Sequence, residues 1–302
     1  MSDGALVLVG TPIGNLGDLS PRAAEALGGA DAVCCEDTRR TGKLLSLAGI
    51  ERRPFVVVNE HTETREVPRV IARLERGERV ALVSDAGMPG ISDPGERLVA
   101  AVLAAGHPVE VVPGPSASLA ALVVSGLPAG RFVFEGFLPR KGAGRTERLA
   151  AVAAEPRTTV LYEAPHRLAR TLSDLAAACG GDRRVAVARE ITKLHEQVWR
   201  GTLDGAVAWA AEREPPGEIV VVLDGAPASP PADDAAVVAA VRAELASGAT
   251  ARDAARSVAA ALAVPRRRAY DVAIAAAAVP PEPPDVPEPP DVPEPPGARD
   301  GR

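Results

Sequence analysis

"RVALVSDAGMPGISDPG", residues 79–95, decides the fold. The apolar run Val80-Ala81-Leu82-Val83 breaks directly into a loop with Gly87, Gly90 and Gly95, Pro89 and Pro94, Asp85 and Asp93. A short run with no polar alternation reads as a strand buried on both faces, the pattern of a parallel sheet. A loop rich in glycine and acid at its carboxyl end reads as a binding loop, because open α/β sheets take ligands outside that edge. The stretch therefore predicts a parallel sheet with a crevice at Asp85 and Gly87.

The same order of elements repeats on both sides. Strands are expected at 5–10, 31–36, 55–60 and 107–114, beside the one at 79–85. Helices are expected at 21–29, about 38–48, 63–76, about 94–105 and, amphipathic, at 116–126. Ser20 caps the first of these with Pro21 at its first position, and Asp93 is placed as N-cap of the helix at 94–105. Residues 1–125 then form an α/β domain on a parallel five-stranded sheet.

A boundary is expected near 126–131. Beyond it, strands at 132–137, 158–163, 184–190, 196–202 and 218–225 alternate with helices at about 145–154, 166–178 and 203–212. The short link between 184–190 and 196–202 predicts an antiparallel hairpin, so residues 126–225 form a second α/β domain on a mixed sheet. Residues 226–232 read as a linker. A small helical domain over 233–279 holds helices at 233–246, 250–263 and 266–278, with Thr250 and Pro265 marking the last two starts. Its short turns resemble a helix-turn-helix, and both a packing bundle and an RNA-facing role fit it. Residues 280–302 repeat "PEPPDV" and are expected to stay extended and disordered.

Composition narrows the class. Of 302 residues 46% are hydrophobic, enough for a sizeable core, but only 3% are aromatic, so Val, Leu and Ala must fill it. The net charge is −6, and Glu282, Asp285, Glu288, Asp291 and Glu294 of the tail account for five of those charges. The remainder is near neutral, which leaves room for a local basic groove. Cys34, Cys35 and Cys179 show no metal spacing and read as buried thiols of a reducing cytosol. Met1-Ser2-Asp3-Gly4 leads straight into a strand, so no signal peptide is expected, and no apolar run reaches the length of a membrane span.

Several strand-end loops carry chemistry. "GTPIGNLGD" (10–18) is glycine-rich without the ending of a phosphate loop. "CEDTRRTGKLL" (35–45) sets Glu36 and Asp37 before a helix whose Arg39 and Lys43, four apart, share a face; Arg40 reads as a surface arginine. "NEHTET" (59–64) offers Glu60 and His61, the latter as base, hydrogen-bonding partner or cap. "PGPSAS" (113–118) opens a helix at Ser116 and Ala117 whose free amides suit a polar group. In the second half, "FEGFLPRKG" (134–142) ends in Arg140-Lys141, and "LYEAPHRL" (161–168) gathers Tyr162, Glu163, His166 and Arg167. His107 and His195 read as structural.

With "LVGTPIGNLGDLSPRA", "CEDTRRTGKLL", "NEH", "SDAGMPGISDPG", "VPGPSA", "FEGFLPRK", "LYEAPHR" and "AREITKLHEQVWRGTL" in order, the sequence resembles the ribosomal RNA small-subunit methyltransferase I family. That family belongs to the tetrapyrrole methylase superfamily. The match runs in register from about 5 to 225, the helical unit fits the family's C-terminal addition, and the proline tail has no counterpart.

The resemblance implies two α/β domains of tetrapyrrole-methylase type, S-adenosyl-L-methionine as cofactor, no metal, a homodimer and a cytoplasmic location. The activity implied is 2′-O-ribose methylation of a cytidine in the small-subunit (16S) ribosomal RNA decoding centre. Pro12, Asp85, Gly87, Met88, Ser116 and Ala117 are expected at the donor, with Tyr162 and Ala188 as further contributors. Candidates for removing the hydroxyl proton are Glu36, Asp37, Lys43, Glu60, His61 and Glu163, unranked. Arg39, Arg140, Lys141 and Arg167 are expected to contact RNA phosphates. The rival readings are a methylase of a small tetrapyrrole or corrin and a non-catalytic RNA-binding module.

Overall fold

The computed structural model describes residues 4–212, 217–227 and 232–277. Two compact units divide the chain, Met1–Pro227 and Ala228–Arg302. Most of the expected linker and the whole proline tail lie outside the described residues.

The first unit opens with five parallel strands, β1 (Ala5–Val9), β2 (Ala32–Cys35), β3 (Phe55–Val57), β4 (Arg79–Leu82) and β5 (Val109–Val112), in the order β3-β2-β4-β1-β5. Successive side chains of a strand face opposite ways. Val7, Val9 and Val33 accordingly pack with Leu27 and Leu45 of α1 (Pro21–Gly28) and α2 (Thr38–Leu47). Leu6, Cys34 and Leu82 pack on the other face with Leu74 and Leu98 of α3 (Glu63–Glu75) and α4 (Glu96–Ala104). Both faces are covered, which is why the strands read as unbroken apolar runs.

Local signals start the helices. Ser20 Oγ accepts from the Ala23 amide at 3.1 Å and Pro21 opens α1. Asp37 Oδ1 accepts from the Arg39 amide at 2.7 Å and starts α2. β3 stops at Val57, short of the expected strand, because Asn59 Oδ1 takes the amides of His61 and Thr62, both at 3.0 Å, and turns the chain.

Two expectations fail here. Asp93 does not cap α4: the N-cap is Gly95, at φ 131°, and the amides of Gly95 and Leu98 donate to Glu63 Oε1, each at 3.0 Å. A long-range carboxylate replaces the local cap. The helix α5 (Ala117–Ser125) is not amphipathic: Ala121 and Leu122 are buried, while Leu119 and Val123 stay exposed on its other side.

α5 lays Ala121 and Leu122 on Val160, Ala186, Ala188 and Val220 of the second sheet. That sheet holds β6 (Phe132–Phe137), β7 (Thr158–Glu163), β8 (Arg184–Arg189), β9 (Gln197–Thr202) and β10 (Ile219–Leu223), in the order β6-β7-β10-β8-β9. β6 and β7 are parallel and the other pairings antiparallel, including the β8–β9 hairpin. Its second face packs on Leu168, Leu172 and Leu175 of α7 (Pro165–Cys179), Leu203 of α8 (Leu203–Glu212) and Val152 of α6 (Ala143–Ala154).

The second unit holds α9 (Asp234–Ala246), α10 (Ala251–Ala261) and α11 (Arg266–Ala277) around Val237, Val241, Val258, Val264 and Ala273. Among the described residues no helix is long and apolar enough to cross a membrane. Cys34 and Cys35 are buried and Cys179 half-buried. Burial pushes the Cys34 thiol up to about 12, so it stays protonated and inert.

Candidate active site

The carboxyl ends of β1, β4 and β5 are drawn together by backbone contact that only glycine permits. A Cβ on Gly10 would lie 2.6 Å from Gly114 Cα, and one on Gly114 would lie 2.7 Å from Gly10 Cα. Thr11 and Gly87 exchange both backbone hydrogen bonds, at 2.9 and 3.1 Å, with Gly87 at φ +84°. The three loops border a cleft of about 440 Å³. Ile13, Met88 and Ala117 line it from the first sheet's side, and Phe137, Tyr162 and Val220 from the second's. Its size and mostly apolar walls suit a small-molecule ligand.

A charged cluster occupies part of the lining: Glu36 after β2, Arg40 on α2, and Asp85 and Asp93 after β4. Arg40 Nη1 lies 3.4 Å from Asp85 Oδ2, and Glu36 Oε1 accepts weakly from the Asp85 amide at 3.4 Å. Asp85 Oδ1 is buried with no hydrogen-bond partner among the described residues. Burial raises the pKa of all three carboxyls. The Asp93 group rises furthest, to about 7, because burial is reinforced by the charges of Glu36 and Asp85. Asp93 and Glu36 act on each other's pKa, so the two carboxyls titrate together. Arg40 opposes the rise at Glu36 and Asp85. Sequence reasoning misplaced Asp93 as a cap; Arg40 is a surface arginine as expected, and both residues line the cleft.

Glu163 lines the cleft as well, but its carboxylate is engaged. It accepts from Thr171 Oγ1 at 2.6 Å and from the Ala164 amide at 2.8 Å, and it is ion-paired with Arg167, whose Nε lies 3.1 Å away. Thr171 in turn accepts from Arg145 Nη2 at 3.0 Å. Arg145 is buried and also donates to Asp174 and to the Pro139 carbonyl. Arg167 Nη2 donates to the Leu138 carbonyl at 2.7 Å. Two arginines therefore hold the segment that leads into Arg140 and Lys141. Neither arginine was recognised in this role from sequence, because their partners are backbone carbonyls, which carry no residue-type signal.

Of the expected proton acceptors, Glu36 and Glu163 line the cleft. Asp37 is spent on capping α2. Lys43, Glu60 and His61 are exposed and outside the lining. Of the expected donor contacts, Asp85, Gly87, Met88, Ser116, Ala117 and Tyr162 line it. Pro12 does not, while its neighbour Ile13 does. Ala188 is fully buried under α5, on the core side of β8. Arg39, Arg140 and Lys141 are exposed, and Arg167 is half-buried by the bonds just described. From "AREITK", Lys193 pairs with Glu190 at 2.9 Å and Glu218 at 3.2 Å, and its aliphatic chain lies against Gly14 where any Cβ would collide. Among the described residues no group of three or more His, Cys, Asp or Glu side chains is arranged to hold a metal ion.

Comparison with known proteins adds four findings. Residues 5–207 match the tetrapyrrole (corrin/porphyrin) methylases. The chain is 46% identical over 273 residues to the ribosomal RNA small subunit methyltransferase I of Synechocystis sp., a match covering 90% of this chain and 98% of that one. In structure it is similar to a uroporphyrin-III C-methyltransferase from Thermus thermophilus, with a TM-score of 0.52 at 26% identity, covering 72% of this chain and 94% of that one. A second Thermus structure of that enzyme, complexed with S-adenosylhomocysteine, superposes with a TM-score of 0.51 at 19% identity over 72% of this chain and 96% of that one.

Proposed function

The chain belongs to the tetrapyrrole (corrin/porphyrin) methylase family, among the relatives of ribosomal RNA small subunit methyltransferase I, and on that premise we propose that it methylates small-subunit ribosomal RNA from S-adenosylmethionine. The finer reading is transfer to the ribose 2′-oxygen of a cytidine in the decoding centre.

The cleft carries this reading, because its residues fit the donor. Gly87 lines the cleft, and Gly10 and Gly114 hold its loops together where a Cβ would intrude. Ile13, Met88, Ala117 and Val220 offer apolar walls to an adenosyl group. Ser116 makes no side-chain cap bond to α5, so amides of that first turn remain for a carboxylate. Glu36 and Asp85 present negative charge suited to a sulfonium or ammonium, and Asp85 Oδ1 lacks a partner. When bound, S-adenosylmethionine supplies an electrophilic methyl group and leaves as S-adenosylhomocysteine.

This chain's own residues then divide the work. The glycine-held loops and Tyr162 fix the ligand and exclude water, which supplies rate through orientation. Glu36, with its neighbour Asp93, accepts the proton leaving the ribose hydroxyl as the oxygen–carbon bond forms. Glu163, already engaged three ways, orients the wall instead of acting as base. Arg39, Arg140 and Lys141, exposed on α2 and on the segment after β6, take RNA phosphates. Arg167 positions that segment. Two copies pair through exposed apolar residues of the edge strand and its neighbours, Leu103, Val111, Leu119 and Val123, and the protein acts in the cytoplasm.

The test is nucleoside mass spectrometry after incubation of the purified chain with S-adenosylmethionine and undermethylated small subunits, with a precorrin arm in parallel. One 2′-O-methylcytidine per RNA supports the reading. Methyl transfer to the tetrapyrrole alone overturns it.

A further inference from the structure

We infer that the helical unit is a second RNA-docking element, and that the exposed face of α11 makes the contact. This rests on the RNA reading above but concerns a surface outside the cleft.

The unit has the local geometry of a helix-turn-helix. α10 ends at Ala261 and α11 begins at Arg266, with a four-residue turn between them. Ala263 in that turn holds φ 51°, a value non-glycine residues seldom adopt, and buried Val264 seats the turn in the core. The angle between α10 and α11 is thus fixed by packing.

α11 begins with Arg266, Arg267 and Arg268. Cations in a helix's first turn oppose its macrodipole, so the placement costs stability unless something offsets it. Arg268 is offset, by Asp234 Oδ1 at 2.5 Å. Arg266 and Arg267 are exposed and make no ion pair among the described residues. At 3.6 residues per turn, Arg266, Arg267, Tyr270 and Ile274 fall within about 100° of one helix face. Tyr270 is 44% and Ile274 49% exposed. Two guanidinium groups beside an exposed aromatic ring match the chemistry of RNA, phosphates for the charges and unstacked bases for the ring.

The match to the Synechocystis protein covers 90% of this chain and so extends past Pro227 into this unit.

The test uses the full chain with Arg266→Ala/Arg267→Ala together, and separately Tyr270→Ala. Small-subunit RNA affinity is measured between 50 and 200 mM salt beside donor affinity and turnover at saturating RNA. The double variant should bind RNA at least about tenfold more weakly, with the log–log salt slope reduced by about 1.5. Tyr270→Ala should weaken binding by about tenfold with an unchanged slope. Donor affinity and saturated turnover should stay within about twofold. RNA affinity and slope unchanged in both variants would overturn the inference, as would an effect confined to the sedimentation of the protein, which marks a contact between copies. A wild type that binds RNA through this face yet transfers no methyl would overturn the proposed function and leave this inference standing.

Discussion

Arg40 Nη1 and Asp85 Oδ2 face each other 3.4 Å apart in the lining of the cleft, joining α2 to the loop after β4. The Arg40 side chain is 63% exposed, so the pair adds little to stability. Its effect is electrostatic: Arg40 lowers the pKa of Asp85 and Glu36 against the rise that burial imposes. Arg40→Ala should change unfolding free energy by less than about 1 kcal/mol. It should also move the acid limb of the pH–rate profile upward, since both carboxyls then hold their protons longer. An unmoved limb in the variant contradicts the assignment of these groups to the reaction.

Asp93 gives a prediction of opposite sign for stability and activity. Its folded pKa is raised from the ordinary carboxylate value to about 7. Between those two pH values the folded chain binds more protons at this site than the unfolded chain, so stability falls as pH rises through that window. Asp93→Asn removes the effect. Its thermal midpoint relative to wild type should be higher at pH 8 than at pH 5, while turnover falls by about 100-fold or more. Thermal scans at the two pH values and a methyl-transfer assay check both halves.

Thr171 links a cleft-lining acid to a buried arginine, donating to Glu163 and accepting from Arg145. Thr171→Val keeps the shape and removes the hydroxyl. It should cost about 1–3 kcal/mol by removing one hydrogen bond from each of the buried charged groups Glu163 and Arg145. The apparent KM for RNA should rise more than kcat falls, because the segment leading to Arg140 and Lys141 loosens. Denaturant unfolding and steady-state kinetics measure the two effects.

Gly114 touches Gly10 closely enough that an added methyl must part the two loops. Gly114→Ala should lower the thermal midpoint and weaken donor affinity at least about tenfold. Gly130→Ala, where a Cβ meets nothing within 4 Å, is the control and should stay within about 0.5 kcal/mol of wild type. Equal behaviour of the two variants would remove the steric argument for the glycine loops.

The sequence made the sheet edge legible because each apolar run ended in its own loop, and parallel strands bring those loops together. Asp85, Gly87, Ser116 and Ala117 were placed on that rim from the residues and Met88 through the family resemblance, and all five line the cleft. What it hid depends on distant partners. Asp93 sits in the position of a local cap, yet Glu63, 32 residues before Gly95, supplies the cap and leaves Asp93 to the cleft. Arg40 and Arg39 are adjacent in sequence and both exposed, and only the docking of α2 decides which one reaches the rim of the cleft. Ala188 was expected at the donor, but its side of β8 faces α5. Glu163 was legible as a strand-end acid. Its engagement by Thr171 and Arg167 was not, because α7 has to fold back over β7 before they meet.

Calorimetric titration of the purified chain with S-adenosylmethionine, repeated on Gly87→Val, tests the central claim most directly. Gly87 stands at φ +84°, where a branched side chain is strained, and its Cβ would press on Ile13 at 3.3 Å in the wall of the cleft. One equivalent bound per wild-type chain, with affinity lost at least about tenfold in a folded Gly87→Val, is the predicted result. No binding by the wild type with or without RNA, or equal binding by the folded variant, would contradict the account.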